Sequence, residues 1–381
     1  MSLLLPLLFA CEGRSVAADR ACPLATDRRL LTADGATIAL HHHPGRGAPV
    51  LLVHGVSSNH RFWDLDADHS LAAWLVNEGF DPWLLDLRGH GNASLTVDGA
   101  WQLSGWTIDD YGRHDVARAV DHVRRVTGAA RVGYVGHSMG GMVGAVYAVD
   151  GGADTLSSIV MVGSPATFRK DAPLMQTARL AMAAGGAGLL YVDSALGAEL
   201  AAAAGGAVPG QVHRLLYNVA HFQPATERAM LERIVSPMSR EEMQHFARML
   251  AHERFESADG KVDWTAAFHE VNVPVLALAG ELDRVGRPEF VRPWAEGHAA
   301  EARYVELPEY GHLDLGLGED AEKDVYPLIA AWLRGHERGA RRRVVRRHPR
   351  RDSLGAVSTQ TLQRKHGTGS RPQVLQAHRL L

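Results

Sequence analysis

The sequence predicts an α/β protein built on a doubly wound, mostly parallel β-sheet with an inserted helical cap. Three observations lead there. Six continuous apolar runs end in Gly, Pro or a polar residue, the pattern of strands buried on both faces of a parallel sheet. Helically spaced segments lie between these runs, and strands alternating with helices give a doubly wound architecture. One Ala-rich stretch, residues 166–262, breaks the alternation without a convincing strand and reads as the cap.

The elements follow in order. Residues 28–44, RRLLTADGATIALHHHP, alternate on each side of Asp34-Gly35, a dipeptide suited to a two-residue hairpin turn. His41, His42 and His43 end that hairpin and are expected at an exposed polar edge, without metal-ligand geometry. The apolar runs 49–55, 80–89, 131–138, 157–165, 273–281 and 302–308 are the sheet strands. Residues 64–79 gather Leu71, Trp74, Leu75 and Val76 on one side, and 107–128 place Ile108, Tyr111, Val116, Val120 and Val123 near one stripe before Gly128, a helix terminator.

This order divides the chain into a leader over residues 1–26, core segments 27–165 and 263–333 around the cap at 166–262, and a tail at 334–381. The tail holds 13 Lys or Arg and two Asp or Glu, which leaves 27 basic and 41 acidic side chains, a net charge of −14, for the rest. Lacking a sustained apolar period, the tail is expected to be disordered. An acidic body argues against nucleic-acid binding, which needs clustered positive charge. No apolar stretch of the body approaches the ~20 residues of a membrane helix, while contact with a lipid surface stays open. MSLLLPLLFA before Cys11 is short for a signal peptide and has no Lys or Arg ahead of it, so cytoplasmic and exported or lipid-anchored locations both stand. Both cysteines, Cys11 and Cys22, lie in the leader, which leaves the core without a thiol nucleophile or disulfide.

Gly136-His137-Ser138-Met139-Gly140 is a G-x-S-x-G sequence between an expected buried strand and an expected helix, the context a nucleophile elbow requires. The turn is so tight that side chains two positions either side of the serine would collide. It exposes Oγ and points the Met139 N–H at the oxygen that gains charge in the transition state. A serine hydroxyl needs a base. His137 is expected to be turned away, and His54 and His90 lie in structural loops. His312, after the last strand and before the last helix, is where a loop reaches back over the sheet. The acid belongs on the loop after the penultimate strand. Asp283 is favoured because the chain must complete its turn before a side chain can reach the histidine, with Glu281 the alternative. The second oxyanion donor is expected to be the N–H of Val56. Asp86 and Arg88 are expected to fix their loop by hydrogen bonds.

The set HGV, DLRGHG, GHSMGG, GELD and GHLD resembles the α/β-hydrolase fold superfamily over about residues 28–333. Residues 70–89, 108–123, 134–138 and 312–315 resemble its gastric and lysosomal acid lipase branch. Departures from that branch are a shorter cap, Met139 where Gln is usual, and a generic DLRGHG. The resemblance implies a triad of Ser138, Asp283 and His312, an oxyanion hole of the Val56 and Met139 amides, no cofactor or metal, and a small-molecule or lipid ester as substrate. The function expected is carboxylic ester hydrolysis through an acyl-enzyme. The alternatives are acyl transfer by the same triad or a non-catalytic binding protein on the same scaffold. Residues 70–89 also resemble polyester synthases, which carry cysteine where Ser138 stands, and epoxide hydrolases and dehalogenases use an aspartate nucleophile that serine does not supply.

Overall fold

The computed structural model describes residues 26–337 except 94–95, 98–99, 102–103, 170–190 and 193–214. The leader, apart from residue 26, much of the insertion and most of the tail lie outside the described residues. Eight strands form one sheet: β1 Thr26–Leu31, β2 Thr37–His42, β3 Pro49–Val53, β4 Asp81–Asp86, β5 Val132–His137, β6 Leu156–Val162, β7 Val275–Gly280 and β8 Ala302–Leu307. Their spatial order is β1-β2-β4-β3-β5-β6-β7-β8. The β1–β2 and β2–β4 pairs are antiparallel and all others parallel.

The apolar runs become strands because each has a hydrophobic layer on both sides. Leu51 and Val53 of β3 join one core cluster, while the alternate residues Val50 and Leu52 join the other. The first layer is closed by helices α2 Ala117–Thr127 and α3 Met139–Tyr147, the second by α1 Leu71–Asn77 and α6 Tyr326–His336. Each fully buried Val, Leu or Ile contributes about 1.5–3 kcal/mol relative to exposure, so this double burial outweighs local propensity. Between β6 and β7, α4 Pro224–Arg233 adds Met230 to the second cluster and α5 Arg240–His252 adds Met249 and Leu250 to the first. The order reverses at β3, whose neighbours are β4 and β5. The crevice beyond the C-terminal ends of β3 and β5 is thus the topological switch point, where α/β sheets bind ligands.

Several expectations change. The Asp34-Gly35 hairpin has a five-residue connection, closed by the Thr32 N–H donating to the Ala36 carbonyl at 2.8 Å; Gly35 alone has positive φ. Asp34 is drawn away from a tight turn by Arg88, which grips it with both terminal nitrogens. The run 302–308 is not buried on both faces, because β8 is the sheet edge and exposes Arg303 and Glu306. A short ladder, Tyr191–Val192 against Met238–Ser239, lies in the stretch 166–262, where no strand was expected. Helix α6 runs to His336, three residues into the expected tail. The helix expected over 107–128 forms, with a π segment at Tyr111–Val116.

The histidine triplet is no exposed edge, since β2 lies between β1 and β4 and its three imidazoles each meet a carboxylate. His42 Nε2 reaches Asp81 at 2.7 Å and His43 Nε2 reaches Asp64 at 3.0 Å. His41 is 3% exposed and stands between two carboxylates, Nδ1 at 2.6 Å from Asp27 and Nε2 at 2.9 Å from Asp86. Neither partner can donate when ionised, so both ring nitrogens carry protons and His41 is an imidazolium. Burial pushes its pKa down, but the hydrogen bonds and charges of Asp86 and Asp27 prevail and hold it above the ordinary imidazole value. A raised folded-state pKa contributes stability that is complete below about pH 6.5 and is lost as pH rises through the folded value. The urea-unfolding free energy of the wild type should therefore exceed that of His41→Gln by a margin that shrinks as pH rises above about 6.5. A margin that stays flat or widens with pH would contradict the imidazolium.

Candidate active site

Strand β5 ends at His137 and α3 begins at Met139, which leaves Ser138 alone at the corner with φ 52° and ψ −120°. A non-glycine residue held at positive φ costs about 1–3 kcal/mol. The surroundings enforce it: the Ser138 N–H donates to the Val162 carbonyl at the end of β6 (2.8 Å), and the Gly141 N–H to the Ser138 carbonyl (3.1 Å). A Cβ at Gly136 would stand 2.4 Å from the backbone of Gly140 and Gly141, so the strand and the helix can approach this closely only without a side chain there.

Asp283 and His312 are brought together. His312 Nδ1 lies 2.8 Å from Asp283 Oδ2, with both residues buried. The other carboxylate oxygen, Oδ1, accepts the backbone N–H groups of Val285 (2.7 Å) and Gly286 (2.8 Å). This fixes the carboxylate and directs Oδ2 at the ring, so Nδ1 carries the proton and Nε2 is the nitrogen able to accept one. Glu281, the alternative acid, is exposed and accepts the Glu309 N–H at 3.1 Å instead. Gly163, at the end of β6, has φ 57°, and a Cβ there would lie 3.2 Å from both Asp283 Oδ2 and His312 Nδ1. Its lack of a side chain makes room for the pair.

Ser138 Oγ makes no hydrogen bond among the described residues. In unliganded sites such bonds often tighten only when substrate arrives. The elbow is tied to the His312 loop by its neighbour His137, which sequence reasoning expected to be turned away. Its Nε2–H donates to the His312 carbonyl at 3.1 Å, and the two ring centroids are 4.6 Å apart. Burial holds His137 well below the ordinary imidazole range, so it is neutral with one ring proton, spent on that carbonyl. Phe62 also stacks on the His137 ring, at 4.0 Å between centroids. The same loop is held from Leu216, whose carbonyl accepts the N–H groups of both His312 and Leu313 (3.1 and 2.8 Å). Asp314 closes it by accepting the Gly311 N–H at 2.7 Å.

The loop carrying Val56 lies against the elbow. A Cβ at Gly55 would stand 3.1 Å from Ser138 Cβ, and one at Gly140 would stand 2.5 Å from the Val53 carbonyl. Gly55, which precedes Val56, therefore lies against Ser138, and Met139 follows the serine directly in the chain. His54 shapes this loop in neutral form: Nδ1–H donates to the Gly55 carbonyl (2.8 Å), Nε2 accepts the Leu87 N–H (3.3 Å), and burial pushes its pKa down to about 3. Asp86 and Arg88 fix the neighbouring loop as expected. Asp86 takes the N–H groups of His60 (2.7 Å) and Asn92 (2.8 Å), and Arg88 pairs with Asp115 and Asp34.

A family model described as alpha/beta hydrolase fold matches residues 48–319. Triacylglycerol lipase 2 of Arabidopsis thaliana is 31% identical over 132 residues, which cover 32% of this chain and 30% of that protein. Lysosomal acid lipase/cholesteryl ester hydrolase of Homo sapiens is 31% identical over 111 residues, 27% of each protein. Against these two the match spans less than a third of the relative's length. Lipase member K of Homo sapiens is similar over more of the chain, 23% identical across 364 residues that cover 78% of this chain and 84% of that one. Among solved structures, a thermophilic esterase from Thermogutta terrifontis shares the fold, with a TM-score of 0.56 at 22% identity over 82% of this chain and 100% of that one.

Proposed function

The chain belongs to the alpha/beta hydrolase fold family, and from that premise we propose that it is a serine hydrolase that cleaves carboxylic esters through an acyl-enzyme on Ser138. The observation that carries this reading is the buried Asp283–His312 hydrogen bond beside the strained Ser138 elbow. His312 Nε2 takes the Ser138 proton as Oγ attacks the ester carbonyl carbon. The N–H groups of Val56 and Met139 hold the oxygen of the tetrahedral intermediate, and loss of one such donor costs about 10²–10³-fold in turnover. As the carbon–oxygen bond to the leaving group breaks, His312 returns the proton to the departing alcohol. Water, activated by the same nitrogen, then attacks the acyl-enzyme, releasing the carboxylic acid and restoring Ser138. Asp283 keeps the proton on Nδ1 throughout and stabilises the imidazolium.

The names of the relatives, lipases and a cholesteryl ester hydrolase, favour lipid esters with apolar acyl chains as the substrate class. No described helix is long and apolar enough to cross a membrane. A p-nitrophenyl ester series from acetyl to palmitoyl tests the reading, together with labelling by a fluorophosphonate and peptide mapping. Turnover that rises with chain length and a label on Ser138 are expected. A label on another residue would refute the assignment, and a stable acyl group on Ser138 without turnover in water would redirect it to acyl transfer onto an alcohol or thiol.

A further inference from the structure

We propose that the seam between the insertion and the core holds a binding site for an oxyanion group, a phosphate or a carboxylate, formed by His60, Arg61 and Arg233. These residues line a cleft of about 390 Å³ together with Asn59, Asn92 and Ser236, and no Asp or Glu is among its described lining residues. That is unusual on this protein, whose chain before Arg334 carries 41 acidic against 27 basic side chains. Among the described residues neither guanidinium forms an ion pair within 4 Å, and the Arg61 charge is felt by the Asp64 carboxylate only through space. Arg233 Nη1 donates only to the Leu65 carbonyl at 3.3 Å, and Arg61 is exposed with no side-chain hydrogen bond among the described residues. Guanidinium groups bind oxyanions through charge-assisted, paired N–H bonds.

The third group, an imidazole, is oriented from behind. His60 Nδ1 is bonded to Asp86 at 2.9 Å, and Nε2, on the ring edge away from Asp86, has no hydrogen-bond partner among the described residues. A carboxylate on one imidazole nitrogen fixes the ring so that the other can meet a ligand. The buried Asp86 charge does not repel an incoming anion unopposed, since the His41 imidazolium lies 2.9 Å from the same carboxylate and stacks on His60 at 3.7 Å. The walls are tied together in advance. Asn59 Nδ2 donates to the Arg233 carbonyl (2.9 Å) and Ser236 Oγ (3.2 Å), the Gly91 N–H reaches Ser236 Oγ (3.3 Å), and the Ser236 N–H donates to the Ser57 carbonyl (3.0 Å). That last bond ties the cleft to Ser57, the residue after Val56, and so to the loop that packs against the Ser138 elbow.

Isothermal titration of the full chain with inorganic phosphate at low ionic strength tests the site, and Ser138→Ala, titrated in parallel, separates binding from the acyl-enzyme reading. One equivalent is expected to bind to both proteins. Arg61→Ala/Arg233→Ala, and Arg61→Glu as a single charge reversal at an exposed position, should weaken binding by about tenfold or more. Affinity unchanged in both variants, or no binding at millimolar phosphate, overturns the proposal. A kinetic pair, p-nitrophenyl butyrate and the p-nitrophenyl monoester of glutaric acid, identifies the source of the group. If the double variant raises KM for the charged ester alone, the oxyanion is part of a substrate. If phosphate binds but the ratio of the two KM values is unchanged, the ligand is a free ion.

Discussion

Ser138→Ala is expected to lower kcat on a p-nitrophenyl ester by about 10⁶-fold, the scale of losing a nucleophile that works as a unit with its base. About 10³–10⁴-fold acceleration over water should survive, because the oxyanion donors and substrate contacts do not depend on Oγ. Alanine keeps the Cβ and therefore the backbone that the elbow demands: φ of 52°, the bond to the Val162 carbonyl and the packing of Gly136 against Gly140 all remain. Thermal unfolding should consequently stay close to wild type, and the variant should no longer react with a fluorophosphonate. Initial rates with active-site titration measure both effects. A fall in kcat of less than about 100-fold, with labelling retained, would locate the nucleophile elsewhere.

The elbow was legible in the sequence because all of its constraints are local. Gly136, Ser138 and Gly140 lie within five residues, and the steric rule that selects them needs only a strand before and a helix after. The strands were legible for a similar reason, since burial on both faces leaves an uninterrupted apolar run, although position at the sheet edge did not show in β8. What long-range pairing decides was not visible. His41 reads as an edge residue until β4 inserts beside β2 and brings Asp86, 45 positions away, against its ring. His137 could be read only by its place next to the serine, while its proton is used by a carbonyl 175 positions later. Gly163 offered a faint signal, a glycine closing a buried strand, but that it clears space for Asp283 and His312 follows only from the meeting of three loops. The anchoring of the His312 loop on Leu216 has no local signature at all.

Asp283→Asn is expected to cost about 10⁴-fold in kcat near neutral pH, or about 5.4 kcal/mol of transition-state stabilisation. The geometry explains why so small a change should matter so much. Two backbone donors, the N–H groups of Val285 and Gly286, converge on Oδ1 at 2.7 and 2.8 Å. An amide must offer its oxygen to them, since an NH₂ group there would leave three donors facing one another. Its nitrogen then faces His312 Nδ1 and donates to it. That selects the tautomer with the proton on Nε2, which has no lone pair to accept from Ser138. The carboxylate's second task, stabilising the imidazolium, is lost as well. Glu281→Gln serves as the control. Glu281 is exposed and spends its carboxylate on the Glu309 N–H, so its replacement should leave kcat within about threefold of wild type. If Glu281→Gln proved as damaging as Asp283→Asn, the acid would have to be reassigned. If Asp283→Asn kept activity within tenfold of wild type, His312 would not depend on this carboxylate for its tautomer, and the Asp283–His312 bond would have to be read as a structural tie between two loops.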